Sequence, residues 1–251
     1  MMLVIAFLAA LAAGLINAVA GGGTLVSFPV LVALGIPPVT ANVTNTIALC
    51  PGYFGGLFAQ RKDFANQKKR LYGILPVSIL GGIAGGLLLI NSEEQSFKIL
   101  VPYLLFMASL MLAVQVPLKK WLQLRAKKSG SVKAGTIGAF ILLFLASVYG
   151  GYFGAGVSVI VIAVLGLIYD DSLTHLNVLK QAVSFSINIT AAVYFAFSGK
   201  VEWLIVLVMI FGAVTGGLAG GRLAGKIKPD IFRWIVVIIG MTVSIIYFIH
   251  Q

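Results

Sequence analysis

Apolar runs of about twenty residues recur along this chain, each long enough to cross a hydrocarbon core of roughly 30 Å as a helix. Lipid offers the backbone no hydrogen-bond partner, so only helices and closed barrels can span it. Barrel strands alternate polar and apolar residues, whereas these runs are continuously apolar. Charge agrees: 10% of the 251 residues are charged and 60% are hydrophobic, against about a quarter charged in a soluble domain. The expected fold class is all-α, a multi-pass protein of the cell membrane. A net charge of +11 would suit a nucleic-acid partner. The basic residues, however, are confined to a few short loops, where they read as cytoplasmic anchors beside a lipid bilayer. Cys50 is a lone cysteine in an apolar stretch, so neither a disulfide nor a metal site is expected. Ala18-Val19-Ala20 resembles a signal-peptidase site, yet no Lys or Arg precedes it. This segment is therefore expected to remain in the mature protein.

A repeat organises the chain. Gly81 to Gly86 matches Gly216 to Gly221, and at the same offset Phe97-Lys98-Ile99 matches Phe232-Arg233-Trp234. Upstream, Gly23, Ser27 and Gly35 match Gly154, Ser158 and Gly166. Residues 1–116 form a first membrane repeat, 117–131 a basic cytoplasmic linker and 132–251 a second membrane repeat. Duplication of this kind in an apolar chain points to a transporter.

Loop charge indicates that the repeats are inverted. The Arg61 to Arg70 segment and the linker are strongly basic and read as cytoplasmic. The spans between them meet at the acidic Glu93-Glu94 loop, which is expected outside. In the second half the signs swap: the counterpart of the acidic loop carries Arg222, Lys226 and Lys228, while the counterpart of the Arg61 segment is the short Ser198 to Glu202 turn. Inversion needs an odd number of crossings per half once each long first segment is read as an even one. Leu3 to Gly35 is interrupted by Gly21-Gly22-Gly23, and Thr136 to Ile168 between Gly150 and Gly156. Each half is thus a helix–break–helix hairpin plus three spans, with both termini outside.

The breaks are the candidate binding site, because irregular backbone at membrane depth survives only inside protein or beside a wet cavity. A helix that restarts there presents unpaired N–H groups and the positive end of its dipole, which suits an anion. The first break offers Asn17, Gly21, Gly22, Gly23, Thr24 and Ser27; the second offers Tyr149, Gly150, Gly151, Tyr152, Gly154, Ala155, Gly156 and Ser158. The helix after each hairpin adds polar groups: Asn42, Thr44, Asn45 and Thr46 in the first half, and Asn177, Lys180, Gln181, Ser184, Ser186 and Asn188 in the second. Lys180 either attracts the anion or snorkels outward. Gly81, Gly85, Gly212, Gly216 and Gly220 have the small-xxx-small spacing of close helix packing.

All seven carboxylates fall in loops or near span ends, which disfavours a cation substrate and proton coupling through a buried acid. A membrane-embedded enzyme is not supported: the histidines, His175 and His250, sit at span ends, and no pair of intramembrane aspartates exists. The glycine runs lack a following Lys-Ser/Thr, so no nucleotide loop or other cofactor site is read.

Asn17-Ala18-Val19-Ala20-Gly21-Gly22-Gly23, Pro29, Gly35-Ile36-Pro37-Pro38 and Ala41-Asn42-Val43-Thr44-Asn45 together resemble the sulfite exporter TauE/SafE family, and Gly151 to Gly156 fits its second-half motif. The sequence departs at Thr24, where a fourth glycine is frequent, and at Thr46, where a lysine can occur. The resemblance implies export of a small sulfur-containing anion, sulfite or an organosulfonate. An anion channel or an importer of another small solute is the alternative reading.

Overall fold

A computed structural model describes residues 1–59, 67–128, 136–169, 171–223 and 229–249. Positions 61–66 with their charged residues Arg61, Lys62 and Asp63, the linker's end at 129–131, Asp170, Lys226, Lys228 and His250 lie outside them. Every regular element among the described residues is helical: α1 (Met2–Val19), α2 (Thr24–Ala33), α3 (Pro38–Ala59), α4 (Lys68–Ile90), α5 (Glu94–Lys128), α6 (Thr136–Tyr152), α7 (Val157–Ile168), α8 (Leu173–Ala196), α9 (Trp203–Leu223) and α10 (Pro229–Ile249). Six of them, α1, α4, α5, α8, α9 and α10, contain stretches long and apolar enough to cross a membrane. Their outward faces carry large apolar side chains, among them Leu80, Leu88, Leu207, Phe211, Leu218 and Ile245, as lipid contact requires.

Both long first segments are broken where glycine was expected to break them. α1 stops at Val19, Gly21 and Gly22 take positive φ of 82° and 88°, and α2 restarts at Thr24. α6 stops at Tyr152, Gly154 and Gly156 take φ of 78° and 73°, and α7 restarts at Val157. Past Pro117 there is no corresponding stop, and α5 runs on as helix to Lys128.

The two halves are interlocked by their first helices. α1 lies along α9, and α6 lies along α4. Small residues permit both approaches: a side chain at Gly212, Gly216 or Gly220 would meet the carbonyls of Phe7, Leu11 and Leu15 in turn, and one at Gly85 would meet that of Val148. At Gly81 an added Cβ would come within 2.5 Å of the Ser147 Cβ. The packing role read from the spacing of these glycines is therefore the one they have. The register runs forward in both pairs, so α1 is parallel to α9 and α6 to α4.

α5 and α10 hold corresponding places in the two halves and run antiparallel. They touch where Ser109 meets Gly240, Ser244 Oγ donates to the Pro102 carbonyl at 2.8 Å, and Tyr103 stacks edge-on against Phe248 at 4.9 Å. These contacts also sort the ends of the molecule. At one end lie the starts of α4 and α10 and the ends of α5 and α9, with Lys68, Lys69, Arg70, Lys119, Lys120 and Arg222. At the other, Lys200 Nζ donates to the Ile90 carbonyl at 2.8 Å, Glu94 Oε2 accepts from the Val39 amide at 3.0 Å, and Thr44 Oγ1 accepts from the Glu202 amide at 3.2 Å. The Glu93-Glu94 loop and the Ser198 to Glu202 turn therefore share the end opposite the basic segments.

Candidate functional site

The two restarting helices begin close to the α5–α10 crossing. A Cβ on Gly22 would lie 3.0 Å from Leu112 and 3.5 Å from Val236, one on Gly156 would lie 3.3 Å from the Ala108 carbonyl, and Leu25 reaches Gly240. Ala108 and Leu112 are one turn apart on α5, so both breaks abut the same short stretch of that helix. The second break also packs on the first half, with Phe153 edge-on to Phe28 of α2 at 5.3 Å.

Some of the helix-start amides are already taken. Asn17 Oδ1 accepts from the Gly23 amide at 2.8 Å, which folds the first break back on α1. The amides of Leu25, Val26 and Ser27 donate to the Gly22 and Gly23 carbonyls at 3.0–3.1 Å. Those of Gly22 and Thr24 find no acceptor among the described residues. At the second break Tyr149 OH donates to the Ala155 carbonyl at 2.6 Å, and the amides of Val157 and Val159 donate to Gly154 and Gly156. The amides of Ala155, Gly156 and Ser158 are left without acceptors among the described residues. Each helix start thus keeps free N–H groups at the positive end of a dipole worth about half a charge.

Side chains from α3 bind the breaks together. Ser27 Oγ of α2 donates to Asn45 Oδ1 at 2.6 Å, a shorter contact than the 3.3 Å to its own Gly23 carbonyl. Asn45 is 0% exposed, and its Nδ2 has no partner among the described residues. Asn42 Nδ2 crosses to the second half and donates to the Tyr152 carbonyl at 2.8 Å, leaving its own Oδ1 without a partner among the described residues. Tyr152 OH lies 3.3 Å from Ser92 Oγ. Thr44, by contrast, uses its hydroxyl oxygen to accept from the Glu202 amide, just before α9.

On α8 the polar residues do not converge on one point. Lys180 Nζ donates to Asn177 Oδ1 at 3.3 Å, one helical turn back, and Asn188 Nδ2 donates to the Ser184 carbonyl of its own helix at 2.8 Å. Eight residues separate Lys180 from Asn188, about 12 Å along the helix. Ser184 Oγ is buried without a partner among the described residues, while the side chains of Gln181, Ser158 and Thr24 stay partly exposed. The structure therefore forms two hydrogen-bonded sets, Asn17–Gly23–Ser27–Asn45 and Asn42–Tyr152, both reached from α3, and leaves the α8 residues beside them.

The basic end is tied across the halves. Ser172 caps α8 by accepting from the His175 amide at 3.3 Å. Just before it, Asp171 is gripped by Arg70 of α4 and by His175 Nδ1 at 2.8 Å. Burial alone would raise the Asp171 carboxyl, but hydrogen bonds from Arg70, His175 and the Ser172 amide outweigh it and hold the group below its usual range. Sequence reasoning missed a second feature here: Lys119 and Arg233 line a cavity beside the end of α1. Their positions at span ends gave only the signal of anchoring cations.

Comparison with known proteins covers nearly the whole chain. The family described as sulfite exporter TauE/SafE matches residues 6–247. A probable membrane transporter protein of Haemophilus influenzae is 27% identical over 98% of this chain and 95% of its own length. The probable membrane transporter protein YfcA of Escherichia coli K12 is 24% identical over 97% of this chain and 88% of its own. A probable membrane transporter protein of a Sinorhizobium species is 28% identical over 95% and 89%. No solved structure matches the chain.

Proposed function

Because the chain belongs to the sulfite exporter TauE/SafE family, a family of membrane transporters, we propose that it exports a small sulfur-containing anion, sulfite or an organosulfonate, by alternating access. One observation carries the reading: two half-helices start beside the α5–α10 crossing with free amides, next to a buried unpaired amide donor on Asn45. Two such helix ends amount to roughly one positive charge without any ionised side chain. No carboxylate stands among these residues to favour a cation. A membrane potential negative inside already drives each negative charge outward with about 2.3 kcal/mol per 100 mV.

The antiparallel course of α5 and α10 and the exchange of first helices support two inverted repeats, 1–116 and 132–251, that rock about this site. The charge rule puts the end with Lys69 and Arg222 in the cytoplasm and the end with Glu93, Glu202 and both termini outside. Single cysteines at these four exposed positions test the orientation, since the native Cys50 is buried. A membrane-impermeant maleimide on intact cells is expected to label the Glu93→Cys and Glu202→Cys variants only. Labelling of the Lys69→Cys or Arg222→Cys variant instead would reverse the assignment.

Substrate class is tested on the purified protein. Sulfite and methanesulfonate are expected to raise the melting temperature saturably, and sulfite to cross liposomes holding this protein alone, in competition with sulfonates. Sodium and magnesium salts of an inert anion should do neither. Cation flux without any anion response would overturn the reading.

A further inference from the structure

A second cluster of cations lies next to the first helix break, about one helical turn toward the basic end. A cavity of ≈ 90 Å³ opens between the end of α1 at Val19 and Ala20, the α5 residues Gln115 and Lys119, and the first turn of α10 at Asp230 and Arg233. A single water needs only about 10–15 Å³ of such space, so a small oxyanion has room. The Arg233 side chain is 9% exposed. One of its terminal nitrogens, Nη1, donates to Asp230 Oδ1 at 2.7 Å, while its buried Nε has no partner among the described residues. The edge formed by Nε and the other terminal nitrogen is a planar pair of donors, the geometry that matches two oxygens of one anion.

Lys119 lines the same cavity as Arg233, and no acceptor for its ammonium is found among the described residues. Two cations are therefore set against a single carboxylate, and that carboxylate is 65% exposed. The carbonyl end of α1 adds a partial negative charge of about one half, too little to balance them. Like charges held together at a span end are costly without a counter-ion.

We propose that this cavity is a second oxyanion site, held by the guanidinium of Arg233 and by Lys119, where the exported anion waits on the basic face before reaching the helix breaks. The proposal rests on the anion-export reading. It adds a site with its own residues, so the two can fail separately.

Sulfite binding is measured by calorimetry on the whole protein in a neutral detergent, for the wild type and for Lys119→Gln, Arg233→Gln and Arg233→Lys. Wild type is expected to bind two anions per chain. Lys119→Gln and Arg233→Gln should each weaken one of them about tenfold, the scale of a lost charge-assisted hydrogen bond, and raise the transport KM with kcat nearly unchanged. Arg233→Lys should restore little, because a point charge lacks the paired edge. The half-buried Lys119 makes no bond to another described residue, so its variant reports on binding even if the Arg233 variants do not fold. Asn45→Leu should spare this site and lose the other; unchanged binding and transport in that variant would overturn the core site alone. One sulfite per chain, unchanged in Lys119→Gln and Arg233→Gln, would overturn the second site and leave these cations as a cap on α1. Sulfite binding here only until phosphatidylglycerol is added, with lipid bound tightly and sulfite displaced, would assign the cavity to a lipid headgroup and equally overturn it.

Discussion

Gly216→Val and Gly85→Val are expected to prevent the folded protein from accumulating. At each position the first atom of a side chain would overlap a backbone carbonyl of the neighbouring helix, that of Leu11 for Gly216 and that of Val148 for Gly85. A flexible side chain can move aside, but a carbonyl is held by the helix that contains it. Relief would require separating α1 from α9, or α6 from α4, along the interface that joins the two halves. In lipid the driving force for that contact is close packing itself, so separation forfeits it along several turns. The cost should reach or exceed the roughly 3 kcal/mol at the upper end of ordinary overpacking. Gly221→Val is the matched control, because an added Cβ there meets nothing within 4 Å. Size-exclusion profiles and melting curves in detergent decide the point. Wild-type behaviour of both interface variants would mean that the halves do not meet through these helices.

The same glycines show how far a sequence of this kind can be read. Spacing alone marks Gly81, Gly85, Gly212, Gly216 and Gly220 as places where another backbone comes close, because nothing else tolerates that distance. It cannot say which helix arrives, and the partners are the first helices of the opposite half. The breaks were legible for a similar reason: positive φ at Gly22 and Gly156 is a local demand on residue type. Long-range pairings leave no such trace. Asn42 reaches the Tyr152 carbonyl 110 residues away, and nothing in either segment names the other. Asn45 and Asn188 are both intramembrane amides by sequence, yet one is tied to Ser27 with a donor left over among the described residues, and the other donates within its own helix. Arg233 and Lys119 read as anchors because cations at span ends usually are. Only the packing shows an Arg nine-tenths buried beside a cavity.

Asn45→Leu is expected to reduce anion transport at least tenfold while leaving the protein folded. Burial of an amide donor with no acceptor costs about 1–3 kcal/mol, and an arriving oxyanion is the group that would recover it. Leucine removes the donor and keeps the branched outline, with bulkier methyl groups. It also takes the acceptor from Ser27, but that hydroxyl keeps the Gly23 carbonyl at 3.3 Å, so the cost to folding should stay within about 1–3 kcal/mol. Asn188→Leu offers the contrast, since the Asn188 amide is already bonded to Ser184 and has less to give a substrate. Asn45→Asp separates charge from shape. It retains an oxygen for Ser27 and the same volume, yet replaces the free donor with a group that repels anions when ionised. Its transport should fall further than that of the leucine variant, and should partly return as pH is lowered and the carboxyl takes up a proton. Sulfite flux in liposomes across this series, with melting temperatures beside it, reads the electrostatic contribution directly. Equal flux in wild type and the N45D variant would place the anion's path away from α3 and the first helix break.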